Sequence, residues 1–265
     1  MPSVANWFAL ALCLPALALY ASAADEKKEK KEAKKPEPPR VIGASPFVVA
    51  PGTTHKVKLR GQHLTNVTEV RFTNDAVRVR AAIRGASRLD PPKDADAKKA
   101  ADSQLELEIR FLADTPPSTN YFVAVSPAGR SDAMPLVVFP PGALAEENEP
   151  NGGFKQAQPI DPGRTLLGAL KEAADVDVFR FEGRSGQRVR IEVGAAQFGS
   201  PLDSLVTLYD ASGHILGVND DAGGARDSLL VARLPTDGAF LVSVIDAHDR
   251  GGPTYSYLLR VSLEP

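Results

Sequence analysis

The residues best suited to chemistry here are acids and amides rather than histidines or cysteines. Glu147, Glu149 and Asn151 fall two apart in Glu147-Asn148-Glu149-Pro150-Asn151. Side chains two apart share a face when the segment is extended. Asp175 and Asp177 repeat that spacing where an alternating apolar run begins. Gathered in one corner, two such pairs make a concentrated negative site. Calcium takes six to eight hard oxygens at about 2.3–2.6 Å from carboxylates, amides and carbonyls. The set is therefore read as a calcium site. A purely structural reading fits the same residues: Glu149 and Asn151 cap a turn, and Asp177 accepts from backbone N–H groups.

A second acidic group joins Asn219, Asp220 and Asp221 with Asp227 and Asp203. Gly223-Gly224 would let the loop curl and turn carbonyls inward, so this is a second metal candidate. It lacks the Asp-x-Asp-x-Asp-Gly pattern and distal Glu of an EF-hand loop. Asx turns between two strands account for it equally well. Tyr255 and Tyr257 share a strand face and are carried as a ligand surface, because exposed aromatics make contacts at low entropic cost. Tyr257 also keeps the period of Leu259 and Val261, which favours the core.

Catalytic signatures are missing. Gly183-Arg184-Ser185-Gly186 is not the Gly-x-Ser-x-Gly of a nucleophile elbow. His55, His63, His214 and His248 are scattered, with no His-Glu-x-x-His. No glycine-rich phosphate loop opens a helix. The chain is expected to be no enzyme, with an unrecognised Ser–His–Asp hydrolase the least favoured alternative.

Elements must hold these residues, and composition says which kind. The chain has 265 residues, with 21 glycines and 22 prolines. That is roughly 16%, above an average near 12%, and favours many turns between short strands. Trp7 to Tyr20 is an apolar run ending in Ala21-Ser22-Ala23. It is short against the ~20 residues of a membrane span and fits a signal peptide over 1–23, hence a secreted, periplasmic or cell-surface protein. The membrane would be met only through an uncleaved signal or a lipid anchor. Cys13, the single cysteine, follows bulky Leu12 and makes a poor lipidation site. Cleavage after Ala23 leaves no cysteine, which excludes disulfides and thiolate sites. Residues 24–40 are Lys, Glu, Ala and Pro, a solvated tether.

Beyond the tether, runs alternate with period two. Lys56–Arg60, Val67–Phe72, Ala76–Arg80, Leu105–Phe111, Tyr121–Val125 and Leu136–Phe139 each set apolar residues against polar or charged ones. This is the pattern of antiparallel strands covering a core on one side. Gly85 to Gln104 reads as a polar surface loop. Pro140-Pro141-Gly142 breaks the chain, with 140–146 a linker. Eight further strands are expected between Arg164 and Val261. The expectation is all-β: two β-sandwich domains, Ig-like over 41–139 and jelly-roll-like over 147–265. Residues 41–145 carry 13 Lys/Arg against 10 Asp/Glu, and residues 146–265 carry 11 against 18. The acidic second half speaks against nucleic acid and suits a divalent cation.

Two resemblances follow. Val41-Ile42-Gly43-Ala44-Ser45-Pro46, Val57–Leu64 and Tyr121–Ser131 resemble IPT/TIG immunoglobulin-like domains, which implies a spacer or adhesion module. Glu147–Asn151, Asp175–Phe181, Ser200-Pro201-Leu202-Asp203, Leu208–Gly213, Asn219-Asp220-Asp221 and Tyr257–Val261 occur in the order of the bacterial pre-peptidase C-terminal domain. That domain is related to the collagen-binding domains of secreted collagenases. The second resemblance implies a non-catalytic appendage that recognises an extracellular polysaccharide or protein. It also implies calcium ligands in the Glu-x-Glu-Pro-Asn segment and the acid opening the following strand. Gly152 stands where calcium-binding relatives have another acid. A spacer or surface-assembly protein without its own ligand is the alternative.

Overall fold

The computed structural model describes residues 36–90 and 100–265; the signal-peptide reading and most of the tether lie outside them. Residues 36–265 form one compact unit of strands. The first group is β1 (Arg40–Ser45), β2 (Val48–Val49), β3 (His55–Gln62), β4 (Glu69–Phe72), β5 (Val79–Arg88), β6 (Ser103–Phe111), β7 (Ser118–Ser126), β8 (Gly129–Arg130) and β9 (Met134–Val138). They build one sheet in the order β1-β3-β6-β5 and another in the order β2-β9-β7-β4, with β8 beside β7. Alternation explains the layering. Along β6, Leu105, Leu107, Ile109 and Phe111 are buried, while Glu106 and Arg110 are exposed. They meet Phe122, Leu136 and Val138 of the facing sheet in one core. Each such fully buried side chain is worth about 1.5–3 kcal/mol of transfer free energy.

The second group is β10 (Ala145–Glu146), β11 (Gln158–Pro159), β12 (Thr165–Ala169), β13 (Asp177–Gly183), β14 (Arg188–Gly194), β15 (Ser204–Asp210), β16 (Ile215–Asn219), β17 (Leu229–Arg233), β18 (Gly238–Asp246) and β19 (Ser256–Glu264). The sheets run β10-β12-β19-β14-β17 and β11-β13-β18-β15-β16. Phe179, Ile191, Val242, Tyr257 and Leu259 pack in the core between them. The two cores meet where Phe47 stacks on Phe198, centroids 5.8 Å apart.

The all-β sandwich expectation is met, with local corrections. Arg40 is not tether: it opens β1 and pairs with Gln62. Gly85 does not end its strand. It sits at a bulge after Ile83, and β5 runs on to Arg88, so the loop starts later than expected. Ala76 precedes its strand, because Asn74 turns the chain by accepting from the Ala76 N–H. Ala145 and Glu146, assigned to the linker, form β10 in parallel with β12. Two-residue strands such as β10 and β11 are too short to show alternation, and only their pairing partners reveal them.

Candidate functional site

The Glu147–Asn151 segment runs from β10 across the mouths of β12 and β13. Glu147 N–H donates to Leu167 O, and Val178 N–H donates to Asn151 O. These two bonds fix the segment against both sheets of the second sandwich. Asp177, the first residue of β13, and Asn151 are both fully buried.

Glu147, Glu149 and Asp177 each offer a carboxylate oxygen within 4.8 Å of the others. Most of the remaining oxygens have protein donors. Glu147 accepts from Asn151 Nδ2 at 3.0 Å and from the Ala169 N–H at 2.9 Å. Glu149 accepts from the Asn151 N–H at 3.1 Å. Asp177 Oδ2 accepts from the Tyr257 hydroxyl at 2.5 Å. Two oxygens have no donor: Asn151 Oδ1 and Asp177 Oδ1. A buried oxygen without a partner costs about 1–3 kcal/mol.

Electrostatics point the same way. Burial, then the neighbouring Glu147 carboxylate, push Asp177 up to about 9. At neutral pH this side chain therefore holds a proton when nothing else balances the charge. Lys171 is the local counter-cation. Its Nζ lies 3.1 Å from Glu149 Oε1 and 3.8 Å from Glu147 Oε2. Partial burial works against its charge, but the Glu149 and Glu147 carboxylates outweigh that and hold it above its ordinary value.

Tyr257 belongs to this site and not to a ligand surface. It is fully buried, and Gly168 lies opposite it on β12. A Cβ at Gly168 would fall 2.5 Å from Cζ of the Tyr257 ring. Glycine is required there so that the ring can cross β12 and reach Asp177. Tyr255 is half-buried and packs on the same core. Period two sends both rings inward, so the ligand-surface expectation is corrected.

Asp175 also departs from expectation. Its carboxylate accepts from the Lys171 N–H at 2.6 Å and the Val176 N–H at 2.9 Å, closing a turn. Asn151 does join the corner. At Gly152, a Cβ would meet Val176 O at 3.3 Å, so an additional acid there would crowd the backbone.

The second acidic group is not gathered. Asp227 is buried and accepts from the N–H groups of Ala195, Ala196 and Gln197, capping the 3-10 turn Ala196–Phe198 from another loop. Asn219 Oδ1 accepts from the Leu229 N–H. Asp203 lies 3.5 Å from His248 and 3.7 Å from Arg250. Asp220 and Asp221 are exposed. Among the described residues, the one cluster of three candidate ligating acids is Glu147, Glu149 and Asp177. Asp246 went unread in the sequence. Its carboxylate accepts from the N–H groups of Asp203, His248 and Arg250 and from the Arg250 guanidinium. An Asp ending an apolar strand two residues before a His and four before an Arg was the available signal.

The histidines hold loops. His63 lies 3.9 Å from Asp102, beside Ser103. The Ser103 hydroxyl donates to Asp102 at 2.6 Å and accepts from the Leu64 N–H, so its proton points to the acid and away from the ring. A triad needs the serine proton on the imidazole. His55 Nε2 meets the Thr53 hydroxyl at 2.7 Å and the backbone of Ala50, tying one turn.

No family model matches the chain. A subtilase-type serine protease of Deinococcus radiodurans is 39% identical over 99 residues, 36% of this chain and 14% of that protease. The chain thus spans a small part of its curated relative. Among solved structures, the pre-peptidase C-terminal domain of a Bacillus anthracis collagenase aligns over 44% of this chain and 100% of its own, with 19% identity and a TM-score of 0.34. A periplasmic inhibitor of g-type lysozyme from Aeromonas hydrophila aligns over 46% of this chain and 97% of its own, with 13% identity and a TM-score of 0.30. The collagenase domain is of the family that the chain's motifs resemble.

Proposed function

We propose that this chain is an exported, non-catalytic accessory module that recognises an extracellular polysaccharide or protein, with calcium bracing the start of its second sandwich. Export is supported by the Trp7–Tyr20 run and the Ala21-Ser22-Ala23 motif. The IPT/TIG likeness of residues 41–139 belongs to the same reading, in which the first sandwich extends or presents the second.

The observation that carries the calcium reading is the pair of buried, donor-free oxygens beside three carboxylates. Carboxylate and amide oxygens are the hard donors calcium takes. Glu147, Glu149, Asp177 and the Asn151 amide oxygen would hold the ion, and water would complete its shell. Calcium would satisfy both orphan oxygens and displace the proton that burial leaves on Asp177. The Lys171 ammonium balances Glu147 and Glu149 but bonds to neither orphan.

Thermal unfolding of the full chain tests this. Calcium is expected to raise the midpoint and EDTA to lower it. Ligand at a hundred times its dissociation constant adds about 2.7 kcal/mol. Glu149→Ala and Asp177→Ala are expected to abolish the difference. Identical curves with calcium and with EDTA overturn the reading.

A further inference from the structure

We infer that the outer face of the β1-β3-β6-β5 sheet is a docking surface for an anionic polysaccharide. The inference deepens the binding-module reading, on which it rests only for the compartment where such a polymer is met.

The register of this sheet sets out its charges. Lys56 stands opposite Glu108, Lys58 opposite Glu106 and Arg60 opposite Gln104. The inward neighbours Val57, Leu59, Leu105 and Leu107 are buried, so these polar rows face solvent. Both carboxylates are already neutralised. Lys58 Nζ lies 3.7 Å from Glu106, and Arg84 Nη2 lies 2.6 Å from Glu108. One row breaks the pattern: Arg80 on β5 stands directly opposite Arg110 on β6. Both are exposed, and neither has an acidic partner among the described residues. Lys56 and Arg60 likewise lack one. Like charges directly opposite on paired strands destabilise each other. Nothing in folding requires this row, since outward positions tolerate any polar residue. A ligand anion would turn its repulsion into attraction.

The shape suits a chain of sugars. A groove of about 540 Å³ is lined by Arg78, Val79, Arg80, Arg110 and Leu112. Leu112 is 37% exposed, one of the few large apolar side chains left open to solvent. Guanidinium groups bind planar carboxylate or sulfate through paired N–H donors. The exposed Leu112 side chain beside these guanidinium groups accepts the apolar face of a sugar ring. A second groove, of about 350 Å³, lies farther along the face between Lys56, Lys58 and Arg84. From the Arg110 row to the Arg60 row is about 20 Å along the strands, the reach of several sugar units. The cations thus sit at intervals, with Glu106 and Glu108 between them. Such spacing favours a polymer with separated charges. It disfavours duplex DNA, which carries one charge per ~1.7 Å of axis and would force phosphates onto those acids. Grooves also fit a chain better than the plane of a bilayer.

Calorimetric titration of the full chain with polygalacturonate, neutral dextran, duplex DNA and phosphatidylglycerol vesicles tests the inference. Polygalacturonate is expected to bind, and more weakly as salt rises, because exposed charges are screened. The double variant R80E/R110E is expected to lose about tenfold or more in affinity, with an unchanged melting midpoint and unchanged calcium response. Glu106→Gln is expected to tighten binding by removing an acid from the path. The inference is overturned by no binding of polygalacturonate, by equal binding of dextran, by tighter binding of DNA or vesicles, or by an inert R80E/R110E. A calcium-insensitive melting curve with charge-dependent binding intact would sink the metal reading alone.

Discussion

Asp177 and Arg80 are both ionisable residues at the first or second position of a strand, yet they live under opposite rules. Asp177 is sealed between two sheets, holds one hydrogen bond from Tyr257, and is pushed up to about 9 by burial and Glu147. Arg80 stands in water beside another arginine. The difference recurs across the two sandwiches. The second, with 18 acids against 11 bases in residues 146–265, draws several of its acids inward and couples them to backbone and phenol. The first leaves cations on an outer face, where Arg80 and Arg110 stand opposite each other with no acidic partner among the described residues. Buried charge becomes structure that responds to ions and protons. Exposed charge leaves stability almost untouched and is free to meet a partner.

If that contrast holds, removing a buried acid should cost far more than removing an exposed one. Asp246→Ala is the severest case. It strands three backbone N–H groups and the Arg250 guanidinium, and should lower stability by about 3 kcal/mol in urea unfolding. A loss under about 1 kcal/mol would show that water replaces the carboxylate freely. The wild-type acid response follows from the same residue. Burial works to raise Asp246, but Arg250 and the three N–H groups together hold it below its ordinary 3.8. A depressed carboxylate stabilises the fold fully above 3.8 and loses that contribution as pH falls through the folded value. Acid unfolding of Asp246→Asn should therefore be flatter than wild type at pH values under about 4.

Tyr257→Phe comes next. It removes the hydroxyl donor and leaves both oxygens of Asp177 unpartnered, for a loss of about 1–3 kcal/mol without calcium. Added calcium should recover most of it. Lys171→Met sharpens the choice between ion pair and metal site. With the competing ammonium gone, calcium should bind more tightly in titration calorimetry. A fall in the melting midpoint with no calcium response would make the corner a salt bridge only. The smallest effect belongs to the first sandwich. Arg78 and Asp114 form an exposed pair at 2.8 Å, and Asp114→Ala should change stability by no more than about 1 kcal/mol.

The strands were legible because period two is written into runs such as Leu105–Phe111, where one face is apolar and the other charged. Glu147, Glu149 and Asp177 were legible as ligand types at shared-face spacing. Asp175, Asn219 and Asp227 had the same types and a similar spacing, yet their oxygens point to backbone donors. A one-dimensional pattern cannot distinguish a carboxylate facing an ion from one closing a turn, because the nearest N–H is set by the turn itself. The Arg80–Arg110 row was equally hidden: 30 residues separate the two, and only the register across β5 and β6, bulge included, places them side by side.

The sequence by itself determined the all-β class, the outward and inward faces of each long strand, and the supply of hard oxygen donors near residue 150. These follow from side-chain chemistry repeated at a fixed period. Tertiary structure alone decided that Gly168 makes room for Tyr257, that Asn151 and Asp177 each keep one oxygen without a donor, and that Lys171 rather than Asp175 completes the corner. Those outcomes depend on contacts between segments up to 110 residues apart, from Glu147 to Tyr257 through Gly168 and Asp177. Such contacts exist only once both sheets have closed over a common core.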